Sequence, residues 1–399
     1  MKKVPRLRFR GFSEDWELCK LEKLTDFFSG LTYSPDNVQK DGTFVLRSSN
    51  VKDNAIISAD NVYVRNEVAN SEHVQVGDVI VVVRNGSRSL IGKHAPINRE
   101  MPNTVIGAFM TGLRSPSPKF LNTLLDTQQF NVEIHKNLGA TINQITTGEF
   151  KRMHFIVPTD EDEKEKIGSL FRQLDDIITL HQRKLDQLKE LKKAYLQLMF
   201  VSMNTKNNKV PKLRFADFEG DWKQRKLGDF LEDFSKKSTI ENEYIILSST
   251  NNGMEIREGR VSGNSNLGYK IIDDGDLVLS PQNLWLGNIN INNIGQGLVS
   301  PSYKTFKIID LNKEFLNPQL RTNKMLDQYK NASTQGASIV RRNLELDLFY
   351  QIRIFIPKNE EQKQIGLLFR KLNESISLHQ SKLDSIKYLK KAYLQNMFI

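Results

Sequence analysis

Cysteine is nearly absent: Cys19 is the single one in 399 residues. That excludes an intrachain disulfide and any cysteine-built zinc or iron–sulfur cage. No run of 18 apolar residues exists, so no membrane-spanning helix is expected. The start, Met1-Lys2-Lys3-Val4-Pro5-Arg6, has the charges of a signal peptide but no apolar segment behind them. A cytoplasmic protein is the expectation. The histidines (His73, His94, His135, His154, His181 and His379) form no H-x-x-x-H pair, which leaves metal catalysis unsupported.

Chemical motifs are scarce too. Gly86-Ser87-Arg88-Ser89-Leu90-Ile91-Gly92-Lys93-His94 misses the phosphate loop, because its glycines are one residue too far apart and His94 stands where Ser or Thr should bind magnesium. No G-x-G-x-x-G follows a strand. Asn317-Pro318 continues with Gln319, so the Asn-Pro-Pro-aromatic motif of base-modifying methyltransferases is missing. Asp162-Glu163-Lys164 resembles a nuclease triplet but opens a helix instead of lying on a strand, and reads as a solvated first turn. No catalytic residue, cofactor or metal is expected.

What the sequence has in quantity is self-similarity. Val4-Pro5-Arg6-Leu7-Arg8-Phe9 recurs as Val210-Pro211-Lys212-Leu213-Arg214-Phe215, and the same offset carries Trp16 to Trp222. Residues 165–200 align without gaps on 363–398 with 23 of 36 positions identical, ending in Lys192-Lys193-Ala194-Tyr195-Leu196-Gln197 and its copy at 390–395. The chain is a tandem duplication. Between the matched ends only scattered anchors align, such as Gly77-Asp78 with Gly275-Asp276, and Gly139-Ala140 with Gly336-Ala337. Each half therefore pairs a diverged module with a nearly copied segment.

The copied segments read as helices. Carboxylates crowd the first turn, where the helix dipole favours them, and Pro158 and Pro357 stand just before. Ile167, Phe171, Leu174, Ile178, His181, Leu185 and Leu188 follow the spacing of a coiled-coil seam, repeated from Ile365 to Ile386. Such a rod, roughly 60 Å long at about 1.5 Å per residue, cannot bury its stripe alone, and its own copy is the simplest partner. Antiparallel pairing would close the chain. The expected architecture is mixed α/β: a pseudo-two-fold tandem repeat of two globular domains separated by a pair of long antiparallel coiled-coil helices. The expected boundaries are residues 1–158, a central helix over 159–200, a linker over 201–209, a second domain over 210–357 and a distal helix over 358–399. Strands are expected near Val79–Val83 and Phe155–Val157, and helices near Phe120–His135 and Phe315–Lys330. Trp16 and Trp222 are expected as packing anchors.

Lys and Arg total 57 against 47 Asp and Glu, a formal net charge of +10. No segment is strongly polycationic, so any nucleic-acid binding must rest on local arrangement. The candidates are loops. In the first module they are Arg84, Asn85, Ser87, Arg88 and Lys93 after the first Gly-Asp strand, with Asn143 and Gln144 after the first Gly-Ala pair. Arg suits guanine, Asn and Gln suit adenine, and Ser and Lys suit phosphate. In the second module they are Gln282, Asn283, Trp285 and Asn288, with Arg341 and Arg342. The first of these groups lacks a cation, so it should prefer a different sequence. A protein-assembly scaffold with protein-binding end modules is the alternative.

The doubled Val-Pro-x-Leu-Arg-Phe opening with its tryptophan, the Gly-Asp strands, the Ile-Gly-x-Leu-Phe helices at Ile167 and Ile365, and the Lys-Lys-Ala-Tyr-Leu-Gln-x-Met-Phe ends together resemble a specificity subunit of a type I restriction–modification enzyme. That resemblance implies two target-recognition domains, each reading half of an asymmetric, split double-stranded DNA site. It implies helices that space them and dock two modification (methyltransferase) subunits, with restriction subunits joining. It also implies a chain without catalysis of its own. It carries over no base contacts; the loop residues above rest on their chemistry alone.

Overall fold

The computed structural model describes residues 4–138, 143–201, 209–257, 265–335 and 342–399. Two units emerge: residues 1–182 with 381–399, and residues 183–380. Each contains the beginning of one long helix and the end of the other. The central helix runs over Glu161–Leu198 and the distal helix over Asn359–Met397. No helix among the described residues is long and apolar enough to cross a membrane.

In the first unit the two helix segments run antiparallel. The Phe171 and Phe398 rings lie 6.2 Å apart, while Lys390 Nζ reaches Asp175 at 2.6 Å. Ascending one helix therefore descends the other. Phe120, Phe171 and Trp16 surround Phe398, each 6% exposed or less; burying such a ring contributes about 1.5–3 kcal/mol. The second unit repeats the cluster with Phe315, Phe369 and Trp222 around Phe200. The two tryptophans are packing anchors, 2% and 1% exposed.

The recurring opening motif is a clamp. In the first unit Leu7 N–H donates to Asn396 O at 2.8 Å, capping the distal helix end, and Arg8 makes two 2.7 Å hydrogen bonds to Glu163 at the start of the central helix. In the second unit Leu213 N–H donates to Leu198 O at 2.9 Å, and Arg214 makes the same paired bonds to Glu361. This corrects the expectation of a solvated turn around Asp162-Glu163-Lys164. The Glu163 side chain is 1% exposed because Arg8 covers it, and Lys164 is tied to Glu161 at 2.6 Å.

The glycine of Ile-Gly-x-Leu-Phe also has a packing reason. A Cβ on Gly168 would lie 2.5 Å from Phe120 N, and one on Gly366 would meet Glu314 Cβ at 2.8 Å. Each long helix thus lies directly on the start of a short helix of its unit, Pro118–Leu125 or Lys313–Leu320.

The diverged modules share a sheet that sequence comparison does not reveal. In the first unit Asp26–Ser29, Met110–Arg114, Val79–Val82 and His94–Pro96 form an antiparallel sheet in that order. In the second unit Leu231–Asp233, Lys304–Ile308, Leu277–Leu279 and Ile289–Ile291 do the same. Asp78 and Asp276 brace the turn before the third strand. Asp78 accepts from Gln75 N and takes Arg114 at 2.8 Å; Asp276 accepts from Asp273 N and takes Lys307 at 2.7 Å. A two-stranded pair, Glu17–Lys20 with His154–Val157 or Lys223–Lys226 with Arg353–Ile356, then leads into each long helix. The first unit adds a second four-stranded sheet, in which Thr104–Ile106 runs parallel to Thr43–Leu46.

The expected single helices near Phe120–His135 and Phe315–Lys330 are each two. Pro118–Leu125 is followed by Gln128–Asn137, where Thr127 Oγ1 accepts from Phe130 N; Lys313–Leu320 is followed by Asn323–Asn331. A capping threonine outweighs continuous helical periodicity at the first break.

Candidate nucleic-acid interface

Val79–Val82 delivers its chain into the loop that starts at Arg84. The structure brings this loop against a segment some 60 positions later. Arg84 bridges to Gln144, Asn85 N–H donates to Asn143 O at 3.2 Å, and the Asn143 side-chain amide donates to Gly86 O at 3.0 Å. Two groups read separately in the sequence therefore form one surface. Asn85 also donates to Ser48 Oγ at 3.0 Å, while its own Oδ1 accepts from Ser87 N. Arg88 opens a single helical turn, Arg88–Leu90, and reaches Leu138 O at 3.5 Å. Arg84, Ser87, Arg88 and Lys93 are exposed; Asn85, Asn143 and Gln144 are half-buried.

The fold adds members that the sequence did not flag. The Arg84 guanidinium lies 5.0 Å from the centre of the Phe109 ring, which is 49% exposed at a strand turn. A cleft of about 660 Å³ beside it is lined by Tyr33, Arg47, Ser48, Asn85 and Phe109. Cation, amide and aromatic faces together can contact phosphate, base edge and base plane. Only the pairing of distant strands places Phe109 there, so local pattern could not find it.

In the second unit Arg342 N–H donates to Gln282 O at 3.4 Å, so the same two kinds of loop meet again. Leu284–Leu286 forms a turn anchored by buried Leu284, with Gly287 at φ +92° closing it. Asn283 and Asn288 are half-buried and their backbones hold this turn: Asn283 O accepts from Leu286 N and Asn288 O accepts from Ser280 N. Trp285 is half-buried and Gln282 exposed. The Arg342 side chain is engaged with Ser333 Oγ and O at 3.0 and 2.9 Å and with Lys330 O at 3.3 Å, tying down the end of the helix Asn323–Asn331. Arg341 lies outside the described residues, as do both Gly-Ala pairs.

The first unit also carries a partly buried charge cluster. Lys390 Nζ sits 2.7 Å from Asp126 and 2.6 Å from Asp175, and His94 Nε2 is 3.3 Å from Asp126. Burial pushes Asp126 up, but His94 and Lys390 together hold it down at about 2. Burial raises Asp175 despite Lys390.

Comparison with known proteins bears on this arrangement. Residues 13–190 match the family described as type I restriction modification DNA specificity domain. The putative type I restriction enzyme MjaX specificity subunit of Methanocaldococcus jannaschii is 23% identical over 404 residues, covering 95% of this chain and 91% of that protein. The chain is similar to the type I specificity family over these residues. The StySPI specificity subunit of Salmonella potsdam and the EcoKI specificity subunit of Escherichia coli K12 are each 24% identical to it. Those matches cover 47% and 46% of this chain, and only 42% and 41% of the relatives' own length. The fold matches the crystal structure of the type I S subunit from M. genitalium with a TM-score of 0.66 over 99% of both chains at 14% identity.

Proposed function

We propose that this chain is the double-stranded DNA recognition subunit of a type I restriction–modification enzyme, directing two modification subunits and the restriction subunits to an asymmetric, bipartite site. The observation that carries this reading is one frame used twice with unlike loops. The four-stranded sheet and the arginine clamp recur in both units. The loop on the first sheet offers Arg84, Asn85, Ser87 and Arg88, whereas its counterpart offers Gln282, Asn283 and Trp285. Conserved supports with different contact groups fit two readers of different sequences. Residues 1–158 and 210–357 would be the two target-recognition domains, and the helical segments would set their spacing and dock the partners.

Half-sites read from one side of a duplex are centred about 10 bp apart. In this reading the chain neither methylates nor cuts and works in the cytoplasm. A protein-only scaffold has no comparable support, since the matched family is one of DNA specificity. The test is methylome sequencing of a host carrying this chain with its modification partner. An asymmetric motif interrupted by a fixed gap is expected. A palindromic or uninterrupted motif would defeat the reading.

A further inference from the structure

Both units have a corresponding pocket at the end of a long helix; its charged lining is mixed in the first unit and wholly cationic in the second. In the first unit Lys391, Leu394, Gln395 and Phe398 line it; in the second the equivalent Lys193, Leu196, Gln197 and Phe200 do. The opposite wall differs. Where the first unit has Asp126 and Gln129, the second has Arg321 and Lys324, and Arg353 stands where His154 does.

The change leaves cations uncompensated. Lys390 in the first unit is neutralised by Asp126 and Asp175. Its counterpart Lys192 faces Arg321, and Asn373 occupies the position equivalent to Asp175. Burial, and then Arg321, lower the Lys192 ammonium; burial likewise lowers Arg321. The Arg321 guanidinium donates to the carbonyls of Asn251 and Asn252, and among the described residues neither cation meets a carboxylate. Two partly buried like charges are unfavourable unless an anion joins them.

The rest of the pocket says which anion. Its volume is about 220 Å³, and Leu196, Phe200, Met325, Ile354 and Phe355 give it apolar walls. Gln319, 6% exposed, also lines it; its Nε2 donates to Phe355 O, while its Oε1 has no partner among the described residues. The equivalent residue in the first unit is Leu124. An unmet acceptor calls for a hydrogen-bond donor, which the backbone N–H of a peptide supplies beside apolar side chains that a phosphate lacks.

We propose that the pocket of the second unit docks an acidic peptide segment of a partner protein, with an apolar side chain on Phe200 and Phe355, a backbone N–H on Gln319 Oε1, and a carboxylate on Arg321 and Lys324. For the partner's identity this rests on the function proposed above, whose modification subunits are the natural source. For the pocket's chemistry it does not. The divergence makes the two ends of the duplicated frame unlike as docking surfaces.

Met325 is a built-in reporter. The full-length chain with carbon-13 methionine methyls is titrated with a blocked peptide of alternating leucine and glutamate. The expected result is a saturable Met325 shift, with affinity falling roughly tenfold in Arg321→Asp and in Lys324→Gln, and likewise for the peptide with glutamine replacing glutamate. Arg321→Asp supplies Lys192 with the carboxylate that Lys390 already has, so its melting temperature should rise. No Met325 shift through the millimolar range would overturn the proposal. Equal binding of the glutamine peptide would overturn it too, as would displacement of the peptide by equimolar inorganic phosphate. Loss of duplex binding in Arg321→Asp would place the pocket in the DNA interface instead. A host methylome without a bipartite motif, alongside intact peptide binding, would sink the DNA reading and leave the pocket standing.

Discussion

Arg8 and Glu163 lie 155 positions apart, yet they meet through two 2.7 Å hydrogen bonds, with the carboxylate side chain 1% exposed. Arg214 and Glu361 repeat the contact in the second unit. Removing the arginine strands a buried charge. Arg8→Ala should therefore cost about 3–5 kcal/mol of unfolding free energy, read by urea denaturation, and Arg214→Ala about the same. Adding Glu163→Gln to Arg8→Ala should recover part of the loss. Equal stability of Arg8→Ala and wild type would show that the clamp holds nothing.

Gly168 tests the packing of helix against helix. A methyl group there would sit 2.5 Å from a backbone nitrogen, which cannot swing away. Gly168→Ala should lose on the order of 2–3 kcal/mol although alanine is the better helix former. Gly366→Ala should lose less, because its nearest neighbours, Glu314 Cβ at 2.8 Å and Phe315 N at 3.0 Å, lie farther away. Thermal melts of both variants decide it; a stabilised Gly168→Ala would contradict the close approach.

Asp126 gives a pH signature. Lys390, His94 and Asn54 face it, and its pKa of about 2 lies below the ordinary carboxylate value. The charged form therefore favours the fold. Its contribution is complete above about pH 4 and is lost as the pH falls through about 2. Asp126→Asn should cost on the order of 2 kcal/mol near neutrality, and the difference from wild type should close in acid. Asp175, raised by burial, works in the opposite sense and is the control. A gap that stays constant down to pH 2 would rule out the charge as its origin.

Much of this was legible in the sequence, and for a physical reason. Helix pairing uses large apolar side chains at fixed spacing, such as Phe171 and Phe369, and the duplication prints each of them twice, whereas the pairing of Arg8 and Arg214 with buried carboxylates was not read from the sequence. The four-stranded sheet was not legible. It needs only buried apolar residues, so Val79–Val82 and Leu277–Leu279 can share a place without sharing a sequence. The candidate site was half legible. Arg84 and Gln144 stand out as loop residues, but their contact depends on strand pairing, and Phe109 joins them only in three dimensions. The engagement of Arg342 with carbonyl oxygens likewise follows from the fold.

The first-unit loop should act on DNA as a surface. Arg84→Ala and Arg88→Ala should each weaken duplex binding by about 1–3 kcal/mol if they contact bases. If they contact only phosphates, the salt dependence should flatten by about one counterion. Titrations at several salt concentrations, with the modification partner present, separate the two cases. Unchanged affinity and slope in both variants would remove this loop from the interface.

The central claim is that two unlike readers work independently on one duplicated frame. Exchanging residues 1–158 for the corresponding module of another specificity subunit, followed by methylome sequencing, tests it most directly. One half of the motif should change while the other half and the gap stay as they were. A motif altered in both halves, or in neither, would contradict the account.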